Sequence, residues 1–204
     1  MKLPIYMYGH PVLRKTAEPI SADYPELKTL VENMFETMYH SEGVGLAAPQ
    51  IGLNIQLVVI DGEPVAETFP ECQGQKMVLV NPEIQILDGD KVSRSEGCLS
   101  LPGIGEEVKR VEHISLSWLE PERNADGTLR TDADGRLVLV PQQKELSGFA
   151  SRIVQHECDH LEGKVFIDHI SPIRKQLIKR KLNNIVEGKA PVDYPAKWAP
   201  KRRK

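Results

Sequence analysis

Gln155-His-Glu-Cys-Asp-His-Leu-Glu-Gly163 contains an HExxH motif, and the motif closes a segment with helical periodicity. Apolar residues recur at helical spacing over residues 145–162, which predicts a helix there. On a helix, residues four apart lie one above the other, so His156 and His160 can bind the same metal ion. Glu157 is offset by about a third of a turn, close enough to reach a water molecule at that ion. The motif therefore predicts a metal site carried by a helix.

The periodicity divides this predicted helix into two faces. The inward face carries Leu146, Phe149, Ala150, Ile153, Val154, His156, Glu157, His160 and Leu161. The opposite face, which we expect to point outward, carries Ser151, Arg152, Gln155, Cys158, Asp159 and Glu162. Two histidines and a carboxylate turned inward are destabilising unless something pairs with them, and a metal ion would do so. The alternative is a pair of hydrogen-bonded core histidines with Glu157 in a salt bridge.

A catalytic site of this kind uses three protein ligands and one open position. The Gly-x-x-His extension found in many metalloproteases does not follow the motif. His169 comes after a strand predicted at residues 164–167 and is expected to point elsewhere, and Cys158 lies on the opposite helix face. Cys98 is the better candidate, because glycine precedes it and a Pro-Gly pair follows it closely. The alternative for Cys98 is a buried apolar residue with no ligand role.

The rest of the chain predicts an α+β fold. Helical spacing predicts a helix over residues 25–39, and Ser171-Pro172 begins a C-terminal helix. Short β-type runs separated by Gly, Pro and Asp turns lie at residues 56–60, 77–80, 114–118 and 137–140. Two Asp-Gly pairs predict a hairpin excursion within residues 120–136. We therefore predict mostly antiparallel sheets packed around a central helix that bears the HExxH motif, with N- and C-terminal helices.

Composition and charge limit the class of protein. The chain has 204 residues and a net charge of −3, which does not favour a nucleic-acid binder, so no specific DNA partner is expected. Three cysteines form no paired framework, which favours a reducing compartment and a cytoplasmic location. No stretch approaches the ~18 apolar residues of a membrane span, so no membrane partner is expected. We predict one metallohydrolase domain over residues 1–187 and an extended basic tail over residues 188–204.

Three segments resemble the signature segments of the peptide deformylase family, in the family's order. They are Gly43-Val-Gly-Leu-Ala-Ala-Pro-Gln50, Glu96-Gly-Cys-Leu-Ser-Leu-Pro102 and Gln155-His-Glu-Cys-Asp-His-Leu-Glu-Gly163. With Pro11-Val-Leu-Arg14, the likeness runs from near the start of the chain to about residue 170. The resemblance implies a metal-dependent hydrolase that removes the N-formyl group from the N-terminal formylmethionine of nascent polypeptides and releases formate. Residues 120–136 and the basic tail lie outside the family's common pattern.

The resemblance also implies the metal site and its chemistry. Cys98, His156 and His160 would hold one divalent ion, and Glu157 would be the general acid and base. The family favours Fe²⁺, although the ligand set alone would also accept Zn²⁺, Ni²⁺ or Co²⁺.

The substrate contacts follow from the same resemblance. The side-chain amide of Gln50 and the backbone N–H of Leu99 would donate hydrogen bonds to the formyl oxygen. The backbones of Gly45 and Gly97 would pair with the substrate peptide as an added strand. The positions that match the pocket for the methionine side chain are Val44, Phe149 and Ile153. For those three residues, plain core packing is an equally good interpretation.

Two other functions are compatible with parts of the sequence. A zincin-like endopeptidase is permitted by HExxH alone, but the third histidine or glutamate ligand is missing. A non-enzymatic protein with a closed four-ligand metal site would need a spare thiol from Cys72 or Cys158. Activity on formyl-Met peptides, compared with cleavage of internal peptide bonds, distinguishes these classes.

The basic C-terminal helix and tail suggest a macromolecular partner. Lys179, Arg180, Lys181 and the terminal residues 201–204 could dock on the ribosome near the exit of the nascent chain. The alternative is a solvated helix face followed by a loose tail. Formylated starts are bacterial, so we expect a bacterial cytoplasm.

Overall fold

The structure, a computed structural model that describes residues 1–200, contains three helices and nine strands in that range. The helices are α1 (Leu27–His40), α2 (Gly148–Leu161) and α3 (Pro172–Val186). The strands are β1 (Ile5–Tyr6), β2 (Gly45–Ala47), β3 (Leu57–Asp61), β4 (Lys76–Ile86), β5 (Lys91–Gly97), β6 (Gly105–Val111), β7 (His113–Pro121), β8 (Leu139–Ser147) and β9 (Ala196–Lys197). Short 3-10 turns cover Pro11–Arg14, Ala48–Ile51, Glu63–Val65, Pro70–Cys72 and Phe166–His169. None of the helices in this range is long and apolar enough to cross a membrane.

The strands form one large sheet and two small ones. The large sheet has the order β2-β3-β4-β7-β8, and all of its neighbouring strands are antiparallel. Strands β5 and β6 form a separate antiparallel hairpin, and β1 pairs with β9 in parallel. This arrangement confirms the predicted α+β class with mostly antiparallel sheets. Because β2 is an edge strand of the large sheet, one of its backbone edges has no neighbouring strand within residues 1–200.

The large sheet lies between α1 and α2. Side chains alternate across a strand, and all five residues of β3 are buried because both faces of the sheet are covered. Val58 and Ile60 belong to the core beneath α2, whereas Leu57 and Val59 belong to the core beneath α1. Helix α2 is itself enclosed, since residues 150–157 are all buried.

The expected outward face of α2 is wrong for three residues. Ser151, Arg152 and Gln155 are buried, because the β5–β6 hairpin covers that side of the helix. The Gln155 amide donates to the Val111 carbonyl at 2.8 Å, and the Arg152 guanidinium donates to the Val108 carbonyl at 3.0 Å. The helical period is correct, but it does not tell how much of the helix circumference the fold encloses.

Two predictions for the region around the HExxH motif differ from the structure. The helix expected over residues 145–162 begins at Gly148, because residues 145–147 continue strand β8. The strand predicted at residues 164–167 is wrong, because this stretch leads into the 3-10 turn at Phe166–His169. The Asp168 carboxylate accepts a hydrogen bond from the Val165 N–H at 3.0 Å, which stabilises the turn instead of a strand.

The excursion at residues 120–136 consists of two successive turns stabilised by aspartates. Asp126 accepts the N–H of Thr128 at 2.9 Å, and Asp132 accepts the N–H of Asp134 at 2.9 Å. The side chains of Leu129 and Leu137 return into the core beneath α1. The excursion is therefore tied to the domain by apolar packing.

Residues 189–200 run in extended form over the body of the domain. The Ile5 N–H donates to the Pro195 carbonyl at 2.8 Å, and the Met7 N–H donates to the Lys197 carbonyl at 2.9 Å. Trp198 packs against the apolar cluster that contains α3 and Phe166. This part of the expected tail thus shares a core with the helices that precede it.

Replacing Gly163 with alanine should lower the free energy of unfolding by about 1–3 kcal/mol more than replacing Gly127. Gly163 has a φ of 71°, and a Cβ there would lie 2.8 Å from the backbone carbonyl carbon of Arg14. Gly127 has a similar φ of 83°, but no described atom lies within 4 Å of its Cβ position, so it controls for the left-handed backbone alone. Urea unfolding of both variants measures the difference. Equal losses would show that crowding against Arg14 does not matter.

Candidate active site

Three metal-binding side chains meet between α2 and the end of β5. One ligand atom each from Cys98, His156 and His160 lies within 4.8 Å of the others. The two histidines converge because four residues make just over one helical turn. Cys98 follows β5 directly, and its Sγ lies 3.3 Å from Nε2 of His160. The structure therefore brings together two residues from one helix and a cysteine about 60 residues earlier in the chain.

The histidine rings are oriented for metal binding. Nδ1 of His156 lies 3.0 Å from Oε2 of Glu96, which leaves Nε2 as the free ring nitrogen. Nδ1 of His160 is buried and has no hydrogen-bond partner among residues 1–200. A carboxylate on the far nitrogen of a ligating histidine fixes its orientation and raises its basicity. One thiol and two imidazoles in this arrangement fit a divalent ion such as zinc or iron.

The charges around Cys98 favour its thiolate form. Burial raises the pKa of the Cys98 thiol, but the neighbouring rings of His160 and His156 outweigh burial and lower it to about 5. The thiolate is the form that binds metals, so the donor chemistry of the cluster also fits an ion.

A buried ion-pair network supports the cluster from behind. Glu96 accepts two hydrogen bonds from Arg110, at 2.7 and 3.0 Å, and a third from Arg152 at 2.7 Å. Arg110 also donates to Asp159 at 2.8 Å. Burial would raise the pKa of Glu96, but the hydrogen bonds from His156 and Arg110 hold that pKa well below its usual range. Glu96 is therefore a carboxylate that fixes the His156 ring.

This network was not predicted from the sequence, although two signals for it were present. Glu96 precedes Cys98 by two residues, and strand alternation places such residues on the same side of the chain. Arg152 precedes His156 by one helical turn, so the two side chains are neighbours on α2. Arg110 gave no comparable signal, because its contact with Glu96 depends on the pairing of β5 with β6.

Glu157 lies against the bare backbone of Gly45. A Cβ at Gly45 would be 2.5 Å from Oε1 of Glu157, so only glycine allows this approach. The other carboxylate oxygen, Oε2, is buried without a hydrogen-bond partner in the described part of the chain. Burial raises the pKa of Glu157 to about 6, although the charges of His156 and His160 oppose the shift. A carboxyl group with a free oxygen and a pKa near neutrality can both accept and return a proton.

The amide of Gln50 points its NH₂ group at the cluster. Its Oε1 accepts the Ala47 N–H at 2.8 Å, which fixes the amide orientation. Its Nε2 lies 3.4 Å from Cys98 Sγ and 3.4 Å from Ser100 Oγ. Gln50 is buried, so the donor is held in place before any ligand arrives.

These groups face a cleft of about 670 Å³. Among the residues that the sequence assigns to the site, those lining the cleft are Val44, Gly45, Gln50, Gly97, Cys98, Leu99, Phe149, Ile153, His156 and Glu157. His160 is fully buried behind the cleft wall. Phe149 stacks on Phe69 with ring centroids 4.0 Å apart, which gives one end of the cleft an apolar wall.

Cys158 and His169 stay outside the metal cluster. Nε2 of His169 lies 2.8 Å from a carboxylate oxygen of Asp159, and Cys158 packs against the core beneath α2. Burial raises the pKa of Cys158 well above its usual range, which makes it a poor metal ligand. Among residues 1–200, no fourth His, Cys, Asp or Glu side chain joins the cluster, so a bound ion would keep an open position.

Comparisons with known proteins give one consistent match. The sequence pattern of the family described as polypeptide deformylase matches residues 2–176. A peptide deformylase of Flavobacterium psychrophilum is 40% identical over 210 residues, which cover 100% of both chains. The crystal structure of peptide deformylase from Thermotoga maritima is 37% identical with a TM-score of 0.66, covering 84% of this chain and 99% of that one. Arabidopsis thaliana peptide deformylase 1B, solved in complex with an inhibitor, is 34% identical with a TM-score of 0.72, covering 91% of each chain.

Replacing Arg152 with methionine should lower the free energy of unfolding by about 3–5 kcal/mol, because it strips buried carboxylates of their partner. Arg94 is the matched control, since both arginines donate to Glu112, at 2.8 Å from Arg94 and 2.7 Å from Arg152. The Arg94 side chain is 36% exposed and that of Arg152 is 2% exposed, so Arg94→Met should cost about 1 kcal/mol or less. Urea unfolding of both variants measures the two losses in free energy of unfolding. Similar losses would contradict a special role for the buried ion pairs of Arg152.

Proposed function

This chain belongs to the polypeptide deformylase family, and on that premise we propose how its residues remove the N-formyl group from nascent peptides. The enzyme is a hydrolase that releases formate and leaves a free N-terminal amine. One observation carries the residue-level proposal: the Cys98 thiol and two imidazoles converge beside the buried carboxyl group of Glu157. Family membership sets aside the endopeptidase and the structural-metal interpretations.

Cys98, His156 and His160 would hold one divalent metal ion. When bound, such an ion supplies Lewis-acid chemistry, making water more acidic and polarising a carbonyl oxygen. A thiolate ligand reduces the charge of a divalent site to about +1, which weakens this activation relative to three neutral histidines. More of the proton transfer therefore falls to Glu157.

Glu157 acts as the general base and then as the general acid. It accepts a proton from the water that attacks the formyl carbon, and it returns that proton to the amine nitrogen as the C–N bond breaks. Its free Oε2 and its raised pKa support this role. The Gln50 amide and the Leu99 N–H donate to the formyl oxygen as negative charge develops there.

The substrate peptide binds along the open edge of β2. The backbones of Gly45 and Gly97 pair with it as an added strand, and both glycines line the cleft. Val44, Phe149 and Ile153 form the apolar pocket for the methionine side chain. The position of Phe149 and Ile153 on one face of α2, next to the histidines, supports this assignment.

We propose Fe²⁺ as the ion, with Zn²⁺, Ni²⁺ and Co²⁺ as substitutes. Mixed thiolate and imidazole ligands accommodate all four metals, so the ligand set agrees with this choice without selecting it.

Anaerobically purified protein should contain about one metal per chain, mostly iron, and release formate from formyl-Met-Ala-Ser. The Glu157→Gln variant should keep the metal but lose about 10²–10⁴-fold in kcat, because it removes the general base while preserving the shape of the side chain. Metal analysis and formate release on the same samples measure both quantities.

The Cys98→Ala variant serves as the counterpart, since it should lose metal and turnover together. Metal bound without formate release, under iron, nickel and cobalt alike, would contradict the proposed function. Full turnover in Glu157→Gln would contradict only the role of Glu157.

We propose further that the enzyme works in the bacterial cytoplasm. We also propose that it docks on the ribosome through α3, the last helix of the metallohydrolase domain at residues 1–187, and through the basic tail that follows it at residues 188–204. The Flavobacterium psychrophilum relative is bacterial, and Lys179, Arg180 and Lys181 are exposed on α3. The terminal Lys-Arg-Arg-Lys at residues 201–204 lies outside the described residues. Two large apolar side chains on the same helix, Ile173 and Leu177, are also exposed, which supports a protein or RNA partner.

The double variant Lys179→Glu/Arg180→Glu should abolish co-sedimentation with ribosomes from the cytosolic fraction at low salt, because charge reversal repels phosphate. Its formate release from free peptide should stay unchanged. The matched control is Lys91→Glu/Lys109→Glu, the same charge change at exposed residues of the β5–β6 hairpin. Wild-type protein that stays in the supernatant, or equal loss in both variants, would contradict docking through α3.

A further inference from the structure

The C-terminal strap, which we define as residues 189–200, forms one wall of the substrate cleft. It lies beyond residue 176, where the match to the family pattern ends. Four of its residues line the cleft: Pro191, Val192, Asp193 and Tyr194. The strap therefore belongs to the site, although no chemical role was predicted for it from the sequence.

The strap is anchored to the domain just after this contact. Downstream, β9 pairs with β1, and Trp198 packs into the apolar cluster around α3. Just after β1, the Tyr8 N–H donates to the Ser100 carbonyl at 2.8 Å. The N-terminal segment thus holds the strap and the loop after Cys98 against each other.

Tyr194 makes the direct link between the strap and that loop. Its hydroxyl donates a hydrogen bond of 2.7 Å to the backbone carbonyl of Leu99. Burial raises the pKa of Tyr194 to about 12, so the hydroxyl keeps its proton and remains a donor at neutral pH. The residue before Leu99 is a proposed metal ligand, and the N–H of Leu99 is a proposed donor to the formyl oxygen.

We infer that Tyr194 is a positioning residue, which holds the Leu99 backbone so that its N–H faces the reacting carbonyl. This inference rests on the proposed function, because Tyr194 acts only through the Leu99 N–H, whose contact with the formyl oxygen is part of that function. The loop is otherwise restrained by the Leu101 N–H, which bonds the Cys98 carbonyl at 2.9 Å, and by the contact of Tyr8 with Ser100. The bond from Leu101 holds the Cys98–Leu99 peptide plane, which carries the Leu99 N–H, and the Tyr194 hydroxyl holds the Leu99–Ser100 plane on the other side of the Leu99 Cα.

Tyr194 is expected to affect the rate through preorganisation of the Leu99 N–H. A donor aimed at an oxyanion accelerates the reaction only if it is already in place when charge develops. The N–H and the carbonyl of Leu99 belong to two peptide planes that meet at its Cα, so holding the carbonyl as well restricts the rotation by which the plane of the N–H could turn. Losing that bond should affect the transition state and leave ground-state binding of the peptide nearly unchanged.

The test is Tyr194→Phe, which removes the hydroxyl and keeps the ring in the cleft wall. We expect kcat and kcat/KM for formyl-Met-Ala-Ser to fall together by roughly two- to tenfold, with KM and metal content unchanged. Tm should fall by a few degrees at most, as for the loss of any single hydrogen bond. Tyr194→Leu also removes the ring, so it should show the same fall in kcat and, in addition, a higher KM.

Tyr39→Phe is the matched control. The Tyr39 hydroxyl bonds Asp61 at 2.5 Å outside the cleft, so the same chemical change there should leave kcat unaltered. The inference is overturned if Tyr194→Phe keeps a wild-type kcat, or if its loss of kcat is matched by a loss of metal or by the control. Wild-type protein that releases no formate would instead overturn the proposed function, so the two failures are distinguishable.

Discussion

The arrangement of the site depends on one buried carboxylate. Glu96 is almost fully enclosed and is held by two arginines, and it is also the hydrogen-bond partner of the His156 ring. A buried carboxylate is stable only when all of its hydrogen-bonding and charged partners are in place. Glu96 therefore sets the relative positions of the two arginines and the His156 ring. Glu96 precedes Cys98, Arg110 lies on β6, and Arg152 lies on α2. The ion pairs therefore fix the distance between Cys98, the proposed cysteine ligand, and the helix that carries both histidines, which is the distance that the proposed metal binding requires.

A second constraint is the close approach of β2 to α2. Because Gly45 has no side chain, the edge of the sheet comes within contact distance of the Glu157 carboxyl group. Strand β2 is also an edge strand of the large sheet, and Gly45 lines the cleft, where an extended peptide can lie. In the proposed mechanism, this one small residue serves both the position of Glu157 and the path of the substrate.

The parts of the fold that the sequence predicts are those set by local spacing. The period of residues 145–162 indicates α2, and the Ser171-Pro172 pair indicates the start of α3, whose Arg174 N–H bonds the Ser171 hydroxyl at 3.3 Å. The predictions are wrong where contacts outside the local spacing determine the structure. Arg152 is inward because a hairpin from another part of the chain covers it, and residues 164–167 fail to form a strand because the Asp168 side chain bonds the backbone. The strap gave no signal, since its role depends on a parallel pairing between the two ends of the chain.

The charges of the site also favour the proposed role of Glu157 as general base. A thiolate ligand offsets part of the charge of a divalent ion, so the ion alone makes water less acidic than a site with neutral ligands would. A carboxyl group with an ordinary pKa would be a weak base for such a water molecule, whereas burial raises the pKa of Glu157 to about 6. The shift stays moderate because the two histidines favour the charged form. The enclosure of α2 therefore has a chemical consequence. The packing that buries residues 150–157 also adjusts the basicity of Glu157, which within residues 1–200 has a buried carboxylate oxygen without a hydrogen-bond partner beside the proposed ligands.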